Sequence, residues 1–127
     1  MKFSKNLRYV LFIATLLTLV ETFGQTLLRK FYLTNKKNKG STIHLYLPFI
    51  TWLCYGVCVL LLWMSYHYSS EGMIEVFWNV GTNTLIPIAG FFFFGETLDP
   101  YGWIGIGLTT IGGFMLGRSQ NNYANFN

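Results

Sequence analysis

A single carboxylate stands in the middle of an apolar stretch near the start of the chain. Glu21 lies within ATLLTLVETFGQTLL, residues 14–28, which contains no other charged residue. An acidic side chain at the centre of a membrane-spanning helix costs about 2.5–3.5 kcal/mol to insert, so such residues usually face a bundle interior or a cavity. On a helix, Thr18, Gly24 and Gln25 fall one turn from Glu21 on the same side. We therefore predict a polar face that turns Glu21 towards the inside of the protein.

A lone carboxylate in that position can exchange ions. Burial disfavours the charged form of a carboxylic acid, whereas a nearby cation favours it. Glu21 can therefore hold a proton or a cationic substrate, and each excludes the other, which is the minimum requirement for proton-coupled exchange. The residues leave a structural alternative open, in which Glu21 stays protonated and only hydrogen-bonds a neighbouring helix.

The third apolar segment carries a second polar face. Glu75, Asn79 and Asn83 are spaced by four residues, and Trp78 lies one turn from Glu75, where its ring can stack on a cation. Glu75 is also close to the predicted helix start, where the helix dipole favours an acid. Functional and structural interpretations of Glu75 are equally open, and the asparagines favour helix packing over ligand binding.

The fourth apolar segment is rich in glycine. Gly113 and Gly117 form a GxxxG pair, and Gly105, Thr109 and Gly112 form a second ridge of small residues. Small residues let transmembrane helices approach closely, so this segment is predicted to be a dimerisation surface.

Long apolar blocks must carry these groups. The chain is 52% hydrophobic and 11% charged, against roughly 25% charged in a typical soluble domain. A helix needs about 20 mainly apolar residues to cross a bilayer. The sequence predicts an all-α integral membrane protein with a single domain over residues 1–127 and four transmembrane helices, over about 7–28, 43–66, 72–94 and 101–117. The first span is expected to be a retained helix and not a cleaved leader.

The predicted connections differ in character. Residues 29–42 form a polar, basic connection with His44 just beyond it, 67–71 a tight turn between antiparallel neighbours, and 95–100 a turn ending in Asp-Pro. The tail, 118–127, is polar and expected to be frayed.

The charge pattern bears on partners and orientation. The net charge is +4, but the basic residues flank the spans, where they anchor helices at the headgroups, so nucleic-acid binding is not expected. Four of the nine lie on one side of the predicted bilayer (Lys2, Lys5, Arg8 and Arg118), and the first connection holds the other five. The bias that normally orients a membrane protein is almost absent. Either another signal sets the orientation, or the protein inserts both ways, which would permit an antiparallel, dual-topology dimer.

The sequence motifs indicate neither an enzyme nor a metal-binding protein. Cys54 and Cys58 share a face of one apolar helix without nearby polar ligands, so they are interpreted as packing residues. The sequence has no phosphate-binding loop and no spacing typical of metal ligands. We expect no enzyme activity, no metal and no cofactor.

Four motifs in order resemble the small multidrug resistance transporters, a family of the drug/metabolite transporter superfamily. In VETFGQTLLRKF, Glu21, Gly24 and Arg29 match the family's acid, glycine and basic residue. CYGVCVLLLW has Tyr55 at the family's aromatic position, and FWNVG has Trp78 at its substrate-contacting tryptophan. FFFFGETLDPYGWIGIGLTTIGGFML is similar to the family's third loop and dimerisation helix.

The resemblance implies an antiparallel homodimer of eight helices that exports quaternary ammonium-type or other organic cations by proton-coupled antiport. Both copies of Glu21 would lie in one chamber and bind protons and cations in turn. The chamber would be lined by Thr18, Gly24, Gln25, Tyr55, Trp78, Glu75 and Asn79.

Two residues depart from the family pattern. Leu17 stands where the family has a small residue, and Glu75 stands where it has a tyrosine. A second acid in the chamber would favour a polyamine, and the chain would then be one subunit of an exporter with a paralogous partner. A further alternative is a structural or assembly membrane protein that retains the fold without transport. The sequence leaves the identity of the membrane open.

Overall fold

The computed structural model describes residues 5–37 and 47–124, and within them the protein is all-helical, as predicted. Four helices follow one another along the chain: α1 (Lys5–Lys37), α2 (Leu47–Ser65), α3 (Glu71–Phe94) and α4 (Pro100–Ala124).

Three of the helices are long and apolar enough to cross a membrane, namely α1, α2 and α3. Their outer faces carry large exposed apolar side chains, such as Trp52, Trp63 and Phe92 at 74%, 67% and 75% exposure. Surfaces of this kind are typical of contact with lipid or with another protein. α4 is not among the three, since its glycines add little hydropathy. The fourth transmembrane span therefore stays a prediction.

α1 is the central helix of the bundle. It packs against both α2 and α3, whereas α4 packs mainly on α3. The core forms where one stripe of α1 meets single turns of α2 and α3, and it consists of Leu7, Val10, Ile13, Ala14, Leu17, Cys58, Met73 and Ile74. The α1 members recur at intervals of three or four residues, the spacing of one helix face.

The connection between α2 and α3 is as short as predicted, but the two helices are not close neighbours. Residues 66–70 form the turn, in which the backbone N–H groups of Tyr68 and Ser69 donate to the Ser65 carbonyl at 2.9 and 3.0 Å. Each helix packs on α1 and only slightly on the other. The predicted tight turn is present, but the helices that it joins pack on α1 and not on each other, and the space between them that α1 borders is called the cleft.

Two helices run further than the hydropathy pattern predicts. α1 continues from Leu28 to Lys37, so the first nine residues of the predicted polar connection are helical. α4 continues to Ala124, so the expected fraying from Arg118 onwards is wrong as far as that residue. Neither extension contains proline, and without a breaker the backbone hydrogen bonds continue after the hydropathy falls. His44 and residues 125–127 lie outside the described residues.

The connection from α3 to α4 is closed by local hydrogen bonds. Gly95 ends α3 with φ of 65°, a left-handed conformation that other residues adopt only with strain, and its N–H donates to the Phe91 carbonyl at 3.2 Å. Asp99 immediately precedes α4, and its carboxylate accepts a hydrogen bond of 2.8 Å from the backbone N–H of Gly102. That is the geometry of a helix N-cap followed by proline at the first helical position.

Candidate functional site

The candidate site lies along the face of α1 that looks into the cleft between α2 and α3. Glu21, Gln25 and Arg29 follow one another at intervals of four residues and so share that side of the helix. Gln25 reaches α2 through Tyr55 and also lines a cavity bounded by α3. The face that carries Glu21 therefore borders both neighbouring helices.

A short hydrogen-bond chain holds the Glu21 carboxylate. The side-chain amide of Gln25 donates to Glu21 Oε1 at 3.1 Å and to the Tyr55 hydroxyl oxygen at 3.2 Å. Gln25 thus links the acid on α1 to the aromatic residue on α2. The structure brings these three predicted residues together, and the amide restricts the orientation of the carboxylate without neutralising it.

The charge of Glu21 has no fixed counter-ion in the part of the chain that the structure describes. All five acidic residues of the protein fall within that part, and Glu96 is the acid that forms an ion pair, with Arg29. Glu21 is half-buried and accepts a hydrogen bond from the neutral amide of Gln25. The described part of the chain therefore supplies no cation to the Glu21 carboxylate.

Glu75 forms a second, separate polar group on α3. The Asn79 amide donates to Glu75 Oε2 at 3.0 Å. No hydrogen bond or ion pair among the described residues joins this group to Glu21. The indole nitrogen of Trp78, one turn from Glu75, is buried and has no hydrogen-bond partner among the described residues.

A cavity of about 370 Å³ lies between α1, α3 and the α3–α4 connection. Gln25 and Arg29 line it from α1, and Ile86 and Gly90 line it from α3. Asn79 lies seven residues before Ile86 and eleven before Gly90, so helical spacing puts it on the same face of α3. The volume is in the range that holds a small organic molecule.

Two predicted chamber residues serve as helix contacts. The Thr18 hydroxyl donates to the Ala14 carbonyl at 2.8 Å, and the Thr18 side chain packs directly against Gly81 of α3. Gly24 lies against α2, where an added Cβ would stand 3.1 Å from Cys54 Cβ. Gly24 therefore permits the close approach of α1 and α2, and Cys54, like Cys58, is a free thiol.

The small residues of α4 divide between two faces. An added Cβ at Gly117 would stand 2.7 Å from the Phe77 ring, and Gly113 lies against Val80, so both contact α3 of the same chain. No described residue lies within 4 Å of a Cβ added at Gly105 or Gly112, and Thr109 is half-buried. A dimer contact through α4 stays a prediction, and the open face is the one available for it.

The acid that pairs with Arg29 was not predicted from the sequence. Glu96, in the α3–α4 connection, forms the ion pair, and the Arg29 guanidinium carbon lies 4.9 Å from the centre of the Phe94 ring. The topology could have predicted this pair, because in an up-and-down bundle the first and third helices end on the same side. A basic residue at one of these ends and an acid at the other can therefore pair.

Comparisons of the chain with protein-family models, with curated proteins and with solved structures found no match.

Proposed function

We propose that this protein is a proton-coupled exporter of small organic cations, working in a membrane as an antiparallel dimer. In this mechanism Glu21 binds a proton on one side of the membrane and a cation on the other. Release of one allows binding of the other, and the dimer alternates the side to which the chamber opens. The resemblance of the four motifs to small multidrug resistance transporters supports this proposal independently of the geometry.

One observation carries the proposal. A half-buried carboxylate without a cationic partner among the described residues stands in the middle of an apolar helix, hydrogen-bonded by a neutral amide. A carboxylate with a purely structural role would be stabilised by a cationic side chain held beside it, because an uncompensated charge is costly in the membrane. Gln25 leaves the charge of Glu21 to be compensated by an exchangeable ion.

Transport by purified protein in liposomes tests the proposal. With an acidic lumen and a quaternary ammonium dye outside, the wild-type protein should accumulate the dye as protons leave. Glu21→Gln keeps the size of the side chain and removes its charge, so the initial rate should fall at least tenfold. Glu71→Gln is the matched control, because Glu71 is exposed in the first turn of α3 and its loss should leave the rate unchanged.

Two results would contradict the proposal. One is a Glu21→Gln variant that transports as well as the wild type. The other is a wild-type protein that moves no member of a broad cation panel although circular dichroism shows a fully helical fold. The second result would favour the structural or assembly role.

The second acid, Glu75, supports a more specific proposal for the substrate, namely a polyamine. Glu75 also lacks a cationic partner among the described residues, and it is bound by the neutral amide of Asn79. A multiply charged cation such as a polyamine could engage both acids, whereas a monovalent cation needs only Glu21. Glu75→Gln should therefore weaken polyamine binding more than binding of a monovalent quaternary ammonium ion, and equal effects on the two would contradict the polyamine version.

A further inference from the structure

A groove runs between α1 and α3 on the side of α1 away from Glu21. It has a volume of about 450 Å³ and is walled by apolar side chains of both helices, among them Leu19, Leu85 and Ile88. Its rims are exposed, with Phe23 at 59% and Phe92 at 75%. The groove therefore opens towards the surroundings of the bundle and not into the cleft.

The groove ends in two lysines that lie on one face of α1. Lys30 lines the groove, and both Lys30 and Lys37 line a second cavity of about 360 Å³ that continues it. The two lysines are seven residues apart, which is about two helical turns. Both are exposed, and neither forms an ion pair within the described residues, which contain all five acids of the chain.

The position of Lys30 along α1 matches the headgroup region of a bilayer. Lys30 lies nine residues after Glu21, which is about 13 Å along the axis and two and a half turns around it. Half the hydrocarbon thickness of a bilayer is about 15 Å. If Glu21 lies near mid-membrane, Lys30 is at the boundary with the headgroups and on the opposite face of α1.

The hydroxyl groups in the groove differ from the others on the same helix. Thr15, Thr18 and Thr34 each donate to the carbonyl four residues earlier, at 2.8, 2.8 and 2.9 Å. Thr22 and Thr26 both line the groove, and neither hydroxyl donates to a group among the described residues. The Thr22 oxygen is buried, so no group outside the chain reaches it. Because a polar group in the apolar part of a bilayer is costly when unpaired, the Thr26 hydroxyl indicates an acceptor outside the chain.

We propose that the groove binds an anionic glycerophospholipid. The phosphate lies between Lys30 and Lys37, an ester carbonyl one turn deeper accepts a hydrogen bond from Thr26, and an acyl chain follows the apolar wall past Leu19 and Ile88. Basic pockets between transmembrane helices are known sites for anionic headgroups. A glycerophospholipid places its phosphate, ester carbonyls and acyl chains in the same order as the lysines, Thr26 and the apolar wall. This site is independent of transport, because it lies on the other face of α1.

Lipid retention by the purified protein tests the assignment. The protein is equilibrated in detergent with equal amounts of phosphatidylglycerol and phosphatidylcholine that carry identical chains, and bound lipid is counted by native mass spectrometry. A lysine near an anionic surface is worth about a fivefold gain in affinity. The wild type should prefer phosphatidylglycerol, and replacing both lysines by Lys30→Gln and Lys37→Gln should reduce that preference about 25-fold.

Matched controls separate this site from general charge attraction. Lys36→Gln removes an exposed lysine next to Lys37 that lines neither cavity, and it should leave the lipid preference unchanged. Thr26→Val keeps the shape of the side chain and removes the hydroxyl, so it should lower retention of both lipids severalfold. Thr110→Val on α4, where the hydroxyl bonds its own helix, should not change retention.

Several outcomes would overturn the assignment. Equal losses in Lys36→Gln and Lys30→Gln would show diffuse attraction, and full displacement of the lipid by millimolar glycerol phosphate would show an anion site without a bound chain. Disulfide formation between two copies of an Ala89→Cys variant would show that a second copy of the chain covers the groove, since Ala89 lies in its wall.

Discussion

Replacing Gly81 by alanine should push α1 and α3 apart, and the structure gives the size of the effect. A Cβ at Gly81 would stand 3.1 Å from Thr18 Cβ and 2.9 Å from Thr18 Cγ2. Thr18 is 4% exposed, and its hydroxyl is bound to the Ala14 carbonyl, so the side chain has little freedom to turn away. Overpacking of this kind costs about 1–3 kcal/mol.

The matched control is Gly107→Ala, because no atom of the described residues lies within 4 Å of a Cβ at that position. Both substitutions gain the same helix propensity, about 1 kcal/mol per glycine replaced in a helix. That gain cancels in the comparison, and the Gly81 variant should be less stable than the Gly107 variant by about 1–3 kcal/mol, the overpacking cost alone. The measurement is reversible unfolding in mixed micelles with increasing SDS, followed by the helical circular dichroism signal.

A second substitution tests the named cause. Thr18→Ala removes the methyl and hydroxyl groups that meet the new Cβ, so it should restore part of the stability lost in Gly81→Ala. The coupling energy between the two sites should be about 1–2 kcal/mol, within the range found for residues in contact. Equal stability of the Gly81 and Gly107 variants, or strictly additive effects of Gly81→Ala and Thr18→Ala, would refute the assignment of this contact.

Two further predictions concern single hydrogen bonds. Tyr55→Phe removes the acceptor of the 3.2 Å hydrogen bond from Gln25. Since such a bond contributes about 0.5–1.5 kcal/mol, cation affinity should fall by about two- to tenfold in a titration at fixed pH. Unchanged affinity would mean that the link to α2 does not position Glu21. Asp99→Ala removes the N-cap of α4 and should lower stability in the same SDS assay by about 1 kcal/mol. Asp99→Asn should leave stability nearly unchanged, because asparagine caps a helix equally well. Equal losses in the two variants would show that the charge of Asp99, and not its capping hydrogen bond, stabilises the protein.

The elements were predictable where local chemistry alone determines them. Apolar length located α2 and α3, and the five-residue turn between them followed from the short polar gap. The ends of α1 and α4 could not be located this way. Hydropathy marks where a helix would leave a membrane, while the helix itself ends at a backbone breaker, and Arg29–Lys37 contains none.

The contacts of the candidate site within one helix were predictable from the sequence, whereas its contacts between helices were not. Spacing by four correctly put Gln25 beside Glu21, and Asn79 beside Glu75, because helical geometry fixes those neighbours. The link from Gln25 to Tyr55 depends on how α2 packs on α1, and the pairing of Arg29 with Glu96 depends on where the α3–α4 connection lies. Thr18 shares a helix face with Glu21 in the sequence pattern. Its side chain nevertheless packs against Gly81 of α3, a contact that helical spacing alone does not predict.

The position of α1 between two helices explains why one segment holds groups of such different character. Glu21 and Gln25 border the cleft, Thr18 and Gly24 meet α3 and α2 at close approach, and Lys30 lies half a turn away from Glu21 on the outer groove. A helix that packed on a single neighbour would need one packing stripe, and the rest of its surface could be uniformly apolar and face the lipid. α1 instead needs a small residue such as Gly24 where a partner approaches closely, and Glu21 and Lys30 lie outside these close contacts. The threonines differ in the same way, because Thr15, Thr18 and Thr34 bond their own backbone, whereas the Thr26 hydroxyl remains available to a ligand in the groove.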